Sequence, residues 1–184
     1  MTRVLKKMSD ITLTVPVIEG YFGLSRYAAG DIYGPRIQRG IQFIALLSGS
    51  VTIETAQRSL MLLPGTLALL LPGQRELFRF DPLIPSEHIW CQLDFAALPG
   101  DFNRELAHLP PTIAFDHQVE QLMELGISLT SQPGGAPRAL ISLAETLLNY
   151  YASRGIPPRD EGRQTMPKGA VSYTHLRAHE TEAD

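Results

Sequence analysis

The chain has 184 residues, of which 44% are hydrophobic and 8% aromatic, so it can bury a core and does not have the composition of a disordered segment. Its formal net charge is −3, whereas a domain that holds DNA by itself is usually basic. The single cysteine, Cys91, excludes an internal disulfide and is expected to act as a small buried apolar residue. Because we find neither a signal peptide nor a run of about 18 apolar residues, we expect a cytoplasmic protein.

The first forty residues contain weak strand signals. Residues 1–19 form a lead-in whose apolar end can make an edge strand that Pro16 interrupts. Two further segments, Tyr21–Tyr33 and Arg36–Gln42, flank the pair Gly34-Pro35, which predicts a turn between them.

Residues 41–80 carry the clearest pattern of short strands. Their apolar runs are Phe43–Leu47, Leu60–Leu63 and Leu67–Leu71, separated by Ser48-Gly49, Pro64-Gly65 and Pro72-Gly73. In a Pro-Gly pair, proline fixes φ at the first corner of the turn and glycine accepts positive φ at the second. Short runs with turns this frequent predict an all-β sandwich or barrel. Residues 41–48 are apolar on both alternating faces, which predicts a strand that is covered on both sides.

The segment His88–Phe95 alternates cleanly and predicts another strand. One face is apolar and comprises Ile89, Cys91, Leu93 and Phe95. The other face is polar and aromatic and comprises His88, Trp90, Gln92 and Asp94. A face of the second kind either meets solvent or lines a polar pocket, and alternation alone does not distinguish the two.

Two helices are predicted after the strands. Residues Phe115–Thr130 repeat apolar positions at helical spacing, with Asp116 as a candidate cap. A second helix begins at Pro137 and ends near Gly155, and residues 156–170 read as a polar linker. The predicted fold class is therefore mainly β, a barrel followed by two C-terminal α-helices.

Three segments, LLSGSVTI, LMLLPGTLALLLPGQREL and HIWCQLDF, resemble the cupin-type, arabinose-binding-like sensor domain of AraC/XylS-family transcription regulators over roughly residues 20–155. The resemblance implies a cupin-like double-stranded β-barrel over residues 20–112 and a helical dimerisation segment over residues 113–155. Residues 1–19 would be the arm that folds over bound effector in some members. The family's helix-turn-helix domain is absent, so the chain resembles a truncated regulator that would reach DNA only through that missing domain.

Metal-binding cupins suggest where a site would lie. Counted from Gly49 and Gly73, their metal-ligand template falls on Arg36, Gln38, Gln42 and Glu76. Arginine does not bind metals and amide oxygens bind them weakly, so three of the four positions lack a ligand-type residue, and we predict no metal and no cofactor. No serine lies in a nucleophile elbow and Cys91 has no acid–base partner nearby in the sequence, so we predict no catalytic residue.

The same four residues offer donors and acceptors for a small polar effector, such as a sugar or a carboxylate. Phe78 and Trp90 would add an aromatic wall. The alternative is that Arg36 and Glu76 are solvated surface residues and the glutamines are polar residues at strand edges. A metal-independent or degenerate cupin enzyme and a stand-alone sugar-binding cupin are the alternative functions.

The second predicted helix is apolar around most of its girth, which favours a partner on a second side. We predict a homodimer whose seam comprises Leu140, Ala144, Leu147, Leu148 and Tyr151. Simple packing of this stripe on the barrel is the alternative.

Residues 171–181, VSYTHLRAHET, resemble a sequencing adapter translated in one frame. We therefore expect residues 171–184 to be an artefact of the gene model. On this interpretation the helical spacing of His175 and His179 does not indicate a metal site.

Overall fold

Strands precede helices in the computed structural model, which describes residues 16–97, 104 and 106–155. The strands are β1 (Val17–Tyr27), β2 (Ile32–Ile37), β3 (Ile41–Ser48), β4 (Val51–Thr55), β5 (Ser59–Leu62), β6 (Thr66–Leu70), β7 (Arg75–Phe80), β8 (Ser86–Phe95) and β9 (Thr112–Ala114). The helices are α1 (His117–Thr130) and α2 (Pro137–Gly155). Most of the predicted arm, the linker 156–170 and the adapter-like tail 171–184 lie outside the described residues.

The strands form two antiparallel sheets. The first sheet has the order β1-β8-β3-β6-β9, and the second has the order β2-β7-β4-β5. Each sheet therefore contains four of the first eight strands, and strands from the start of the chain pair with strands from its end, as β1 does with β8 and β2 with β7. That order is the jelly roll, or double-stranded β-helix, which is the fold of cupins. The predicted fold class, a cupin-like barrel followed by two helices, is confirmed.

The two predicted Pro-Gly turns are confirmed, and the turn predicted at Gly34-Pro35 is wrong. Gly65 and Gly73 have φ values of 89° and 80°, the left-handed conformation that the second corner of these turns requires. Gly34-Pro35, in contrast, lies inside β2, where the pairing register with β7 shifts. The chain instead reverses just before β2, where the Asp31 N–H donates to the Ala28 carbonyl at 3.2 Å.

The first sheet is covered on both faces, as predicted for β3. Phe43 and Ala45 of β3 join the core between this sheet and the helices. Ile44 and Leu46 point the other way, into the core between the two sheets. The barrel interior and the helix layer therefore share one sheet as their common wall.

Both helices dock on the outer face of the first sheet. Asp116 caps α1 as predicted, because its side chain accepts a hydrogen bond from the Val119 N–H at 3.2 Å. Tyr151 anchors α2: its hydroxyl donates to the Pro110 carbonyl at 2.7 Å, and its ring centre lies 5.3 Å from that of Phe43. No helix in the described ranges is long and apolar enough to cross a membrane.

The residues assigned to the dimer seam require a correction. All five are buried within a single chain, in the core that α2 shares with the first sheet: Leu140, Ala144, Leu147, Leu148 and Tyr151. The barrel covers a wider arc of α2 than one stripe, so these side chains are not free to meet a partner. A dimer through the helices would have to use their exposed sides.

This correction predicts the effect of a charge at Leu147, which is 0% exposed. Leu147→Glu should lower the free energy of unfolding by about 3 kcal/mol or more, because it buries an unpaired carboxylate. The matched control is Leu125→Glu in α1, where the leucine is 49% exposed and the change should stay within about 0.5 kcal/mol. Urea unfolding of both variants checks this, and a stable, folded Leu147→Glu chain would contradict it.

Candidate functional site

A cavity of about 260 Å³ lies between the two sheets and is called the barrel cavity below. Ten residues from five strands line it: Ser25, Tyr27, Tyr33, Arg36, Gln42, Ile44, Phe78, His88, Trp90 and Gln92. Of these lining residues, Arg36 alone carries a permanent charge. The wall is otherwise aromatic, amide and hydroxyl in character, which is the mixture expected of a site for a small organic molecule.

Arg36 is held from several sides. Its Nη2 donates to Gln42 Oε1 and, at 3.1 Å, to Glu76 Oε2. The rings of Tyr33 and Phe78 lie 5.3 and 5.1 Å from the guanidinium carbon, within the range of cation–π attraction. The side chain retains 23% exposure, so the guanidinium reaches the cavity while its partners fix its position.

Glu76 lies behind Arg36, with a side chain that is 0% exposed. Burial raises the pKa of this carboxyl to about 7, although the charges of Arg36 and Arg58 act in the opposite direction. Glu76 Oε1 and Arg36 Nε are buried and have no hydrogen-bond partner among the described residues. The hydrogen bonding of the ion pair is therefore incomplete, and a buried polar atom without a partner costs free energy.

A bulge explains how β2 supplies two residues to the barrel cavity. Residues 33 and 36 are an odd number apart and would face opposite sides of a regular strand. The register shift between them pairs Tyr33 with Phe78 and Arg36 with Glu76, which are two residues apart on β7. Both β2 side chains therefore face the interior.

His88 is inserted into the aromatic part of the wall. Its ring centre lies 5.5 Å from that of Tyr27 and 6.0 Å from that of Phe80, with nearly parallel planes. Burial, together with the charge of Arg36, lowers the pKa of His88 to about 4, so the ring is neutral near pH 7. Its Nδ1 has no hydrogen-bond partner within the described ranges.

Trp90 lies two residues beyond His88 on the same face of β8 and extends this wall. Its Nε1 donates to Ser25 Oγ at 3.0 Å. The indole lies against Gly23, where a Cβ would stand 2.4 Å from the ring, so the absence of a side chain on β1 makes room for it. As the single tryptophan of the chain, Trp90 would report on occupancy of the barrel cavity.

Five of the six residues predicted to bind ligand converge here. Arg36, Gln42, Phe78 and Trp90 line the barrel cavity, and Glu76 is bonded to Arg36. Gln38 does not join them: it is buried, and its side-chain amide donates to the Gly40 carbonyl at 3.0 Å. The alternative of a solvated Glu76 is wrong, whereas ligand binding itself stays a prediction.

Several lining residues were missed from the sequence. Ser25 and Tyr27 lie on β1, where the alternation of polar and apolar residues is weak. Tyr33 was hidden by the bulge described above. Alternation puts His88 and Gln92 on a face that either meets solvent or lines a pocket, and in the structure that face lines the barrel cavity.

The donor set does not suit a metal ion. Within residues 16–97, 104 and 106–155, no three His, Cys, Asp or Glu side chains are grouped to share one. At the template positions themselves, a guanidinium lies between Gln42 and Glu76. A fixed positive charge there opposes a cation electrostatically.

A second cavity, of about 360 Å³, lies outside the barrel against β9 and the end of α2. Its two charged lining residues, Asp116 and Arg154, pair with each other at 3.2 Å, and the Tyr150 hydroxyl donates to the same Asp116 oxygen at 2.5 Å. These contacts tie the cap of α1 to the last turn of α2. Because its charged groups are already partnered, this groove is the weaker candidate.

Neither the models of protein families nor the curated proteins include a match to this chain. Partial likenesses exist among solved structures. A cupin superfamily protein from Desulfitobacterium hafniense is 14% identical with a TM-score of 0.37, over 42% of this chain and 69% of that one. An RmlC-like cupin family protein with a double-stranded β-helix fold from Methanocaldococcus jannaschii is 10% identical with a TM-score of 0.39, over 44% and 74%. Likenesses this partial bear on neither ligand nor activity.

The two shifted groups of the site predict opposite responses of stability to pH. The raised pKa of Glu76 gives a contribution that is full below about pH 4.5 and is lost as the pH rises through about 7. The lowered pKa of His88 gives a contribution that is full above about pH 6.5 and is lost as the pH falls through about 4. Between pH 4.5 and 6.5 the two contributions oppose each other in the wild type.

Removing one of the two groups should reveal the pH dependence of stability that comes from the other. In Glu76→Gln the melting temperature should rise between pH 4.5 and 6.5, because only the His88 contribution remains. In His88→Gln only the Glu76 contribution remains, so the melting temperature should fall over this range when the profile of Glu76→Gln is subtracted. Each fully titrating group contributes at most about 1.4 kcal/mol per pH unit. Thermal melts of both variants across this range check the result, and because all other titrating groups are common to both, parallel profiles would contradict it.

Proposed function

We propose that the barrel cavity binds a small polar molecule and that the domain is the ligand-sensing module of an AraC/XylS-type transcription regulator. The observation that carries the first part is the Arg36–Glu76 pair in the cavity wall. A buried ion pair is weak evidence of a stabilising role, because its desolvation cost offsets much of its attraction. A cation that remains partly exposed in a concave, aromatic wall is better accounted for as a recognition group.

The layering of the molecule supports a sensing role. On β8, Trp90 and its alternate neighbours face the barrel cavity, while Ile89, Cys91 and Leu93 pack toward the helices. One layer of sheet therefore separates a bound molecule from α2. A ligand that favours one placement of α2 over another would shift the population of the two, which is how sensing would reach an attached DNA-binding domain or a second copy of the chain.

One observation favours a metal-independent enzyme as the second candidate. A carboxyl with a pKa of about 7 beside an organic-molecule cavity is suited to general acid–base chemistry. Glu76 is nonetheless fully buried behind Arg36, so direct contact with a reacting atom would need Arg36 to move. Conversion of a bound ligand to product, lost in Glu76→Gln, would favour this candidate over the sensor.

Ligand binding is tested by a screen of sugars, polyols and organic acids against the full chain. A ligand at about one hundred times its Kd should stabilise the fold by about 2.7 kcal/mol and raise the melting temperature. The same ligand should change the emission of Trp90, because that ring lines the barrel cavity. Arg36→Gln should abolish both signals.

The matched control is Arg79→Gln on the same sheet. Arg79 is half exposed and pairs with Glu54 at 2.9 Å on the outside of the barrel, so its loss should leave both signals unchanged. Equal loss in the two variants, or stabilisation without any change in Trp90 emission, would place binding elsewhere.

The regulator role is tested by sequencing the gene without interruption past codon 170. Nucleotide sequence beyond codon 170 should encode two helix-turn-helix units in the same frame. A stop codon close to that position would favour a stand-alone binding module instead.

A further inference from the structure

The polarity of the barrel cavity narrows the class of ligand. Arg36 reaches the cavity, whereas its carboxylate partner Glu76 is fully buried and is absent from the lining. An entering molecule therefore meets a cation before it meets an anion. A site built for neutral hydroxyl groups would gain from an exposed carboxylate acceptor, and here that acceptor is covered.

The hydrogen bonds of Arg36 also favour an anionic ligand. Nη2 is shared between Gln42 and Glu76, while Nε has no partner among the described residues. A carboxylate binds guanidinium with two parallel hydrogen bonds, so once Arg36 has turned away from Glu76 a ligand carboxylate would also supply the partner that the buried Nε lacks. The rings of Tyr33, Phe78 and Trp90 offer an apolar surface for the body of such a molecule.

We propose that the barrel cavity takes a small organic acid, whose carboxylate replaces Glu76 on the Arg36 guanidinium, and that one proton is taken up with it. This inference rests on the proposed function, since it names the ligand of the same site. The step balances: the acid enters as its anion, Arg36 turns toward the cavity so that its ion pair with Glu76 breaks, a new pair forms between Arg36 and the ligand, and a proton from solvent neutralises Glu76.

The proton is required by the charges around the site. Two carboxylates beside one guanidinium repel each other at short range in a buried setting, so one of them is protonated. Glu76 is the better acceptor of the proton, because it is the more deeply buried and its Oε1 has no donor among the residues that the structure describes. The cations that face it are Arg36 on β2 and Arg58 between β4 and β5, and the cavity's other titratable groups are Tyr27, Tyr33 and His88.

The probes are butyrate, benzoate and cinnamate, each with its primary amide, and ribose as a neutral sugar, all added to the full chain. Trp90 emission and calorimetry report binding, and calorimetry in phosphate and Tris buffers counts the protons taken up. We expect at least one acid to bind about ten-fold or more tightly than its amide. Above pH 7 its affinity should fall about ten-fold per pH unit, because the proton becomes scarcer.

Variants separate the roles of the two charges. Glu76→Gln, a neutral replacement of similar shape, should bind the acid at least as tightly as the wild type and lose both the proton uptake and the pH dependence. Arg36→Gln and Arg36→Lys should both lose binding, the second because lysine lacks the forked donor. The proton count on the wild type needs no variant, so the inference can be tested even if a variant does not fold.

The other possible results distinguish failure of the inference from failure of the proposed function. Amides that bind as tightly as acids, or acid binding without proton uptake at pH 8, would overturn the inference. Ribose binding without acid binding would overturn it and leave the proposed function standing. Calorimetric binding of these probes without any change of Trp90 emission would place their site outside the barrel cavity, and would overturn the proposed function together with the inference.

Discussion

The interior of the barrel depends on the contact between Arg36 and Glu76, which joins β2 to β7 and places a charge among aromatic, amide and hydroxyl side chains. Burying an ion pair costs free energy unless close geometry and further hydrogen bonds offset the loss of water. Gln42 supplies one such bond, and the rings of Tyr33 and Phe78 flank the guanidinium. The same cation contributes to the lowered pKa of His88 across the cavity. Removing Arg36 would therefore alter most of the polar chemistry of the site.

The first sheet connects this chemistry to the outside of the barrel. Its alternating side chains divide the molecule into a cavity side and a helix side, with no intervening layer. Tyr151 and the leucines of α2 pack directly against that sheet, so the helix is part of the core of the domain. A cavity that shares a wall with a docked helix is a suitable arrangement for passing a binding signal to an attached domain.

Local patterns in the sequence predicted the features that depend on local physics. The Pro-Gly turns, the alternation of His88–Phe95 and the Asp116 cap each follow from the conformation of one or a few residues. Most of the candidate site was also predicted, because the cupin template placed Arg36, Gln42 and Glu76 on strands that face one interior.

The failures share another physical cause, since they depend on contacts between distant segments. The bulge at Gly34-Pro35 reverses strand phase, so neither the inward position of Tyr33 nor the true turn before β2 could be read from alternation. Gln38 lies just past β2, outside the regular strand pattern that the template assumes. An apolar stripe on a helix shows that something must cover it, but not whether that cover is the chain's own barrel or a partner. For α2 it is the barrel.

The central claim is that Glu76 is a buried carboxyl held behind a partly exposed Arg36 in the wall of the barrel cavity. Titration of the Glu76 side-chain carboxyl carbon by nuclear magnetic resonance measures this most directly, with Glu76→Gln identifying the signal. We expect a midpoint near pH 7, because burial disfavours the charged form more than Arg36 and Arg58 favour it. A midpoint at or below the ordinary value of 4.5 would show a solvated or fully satisfied carboxylate and would contradict this description of the site.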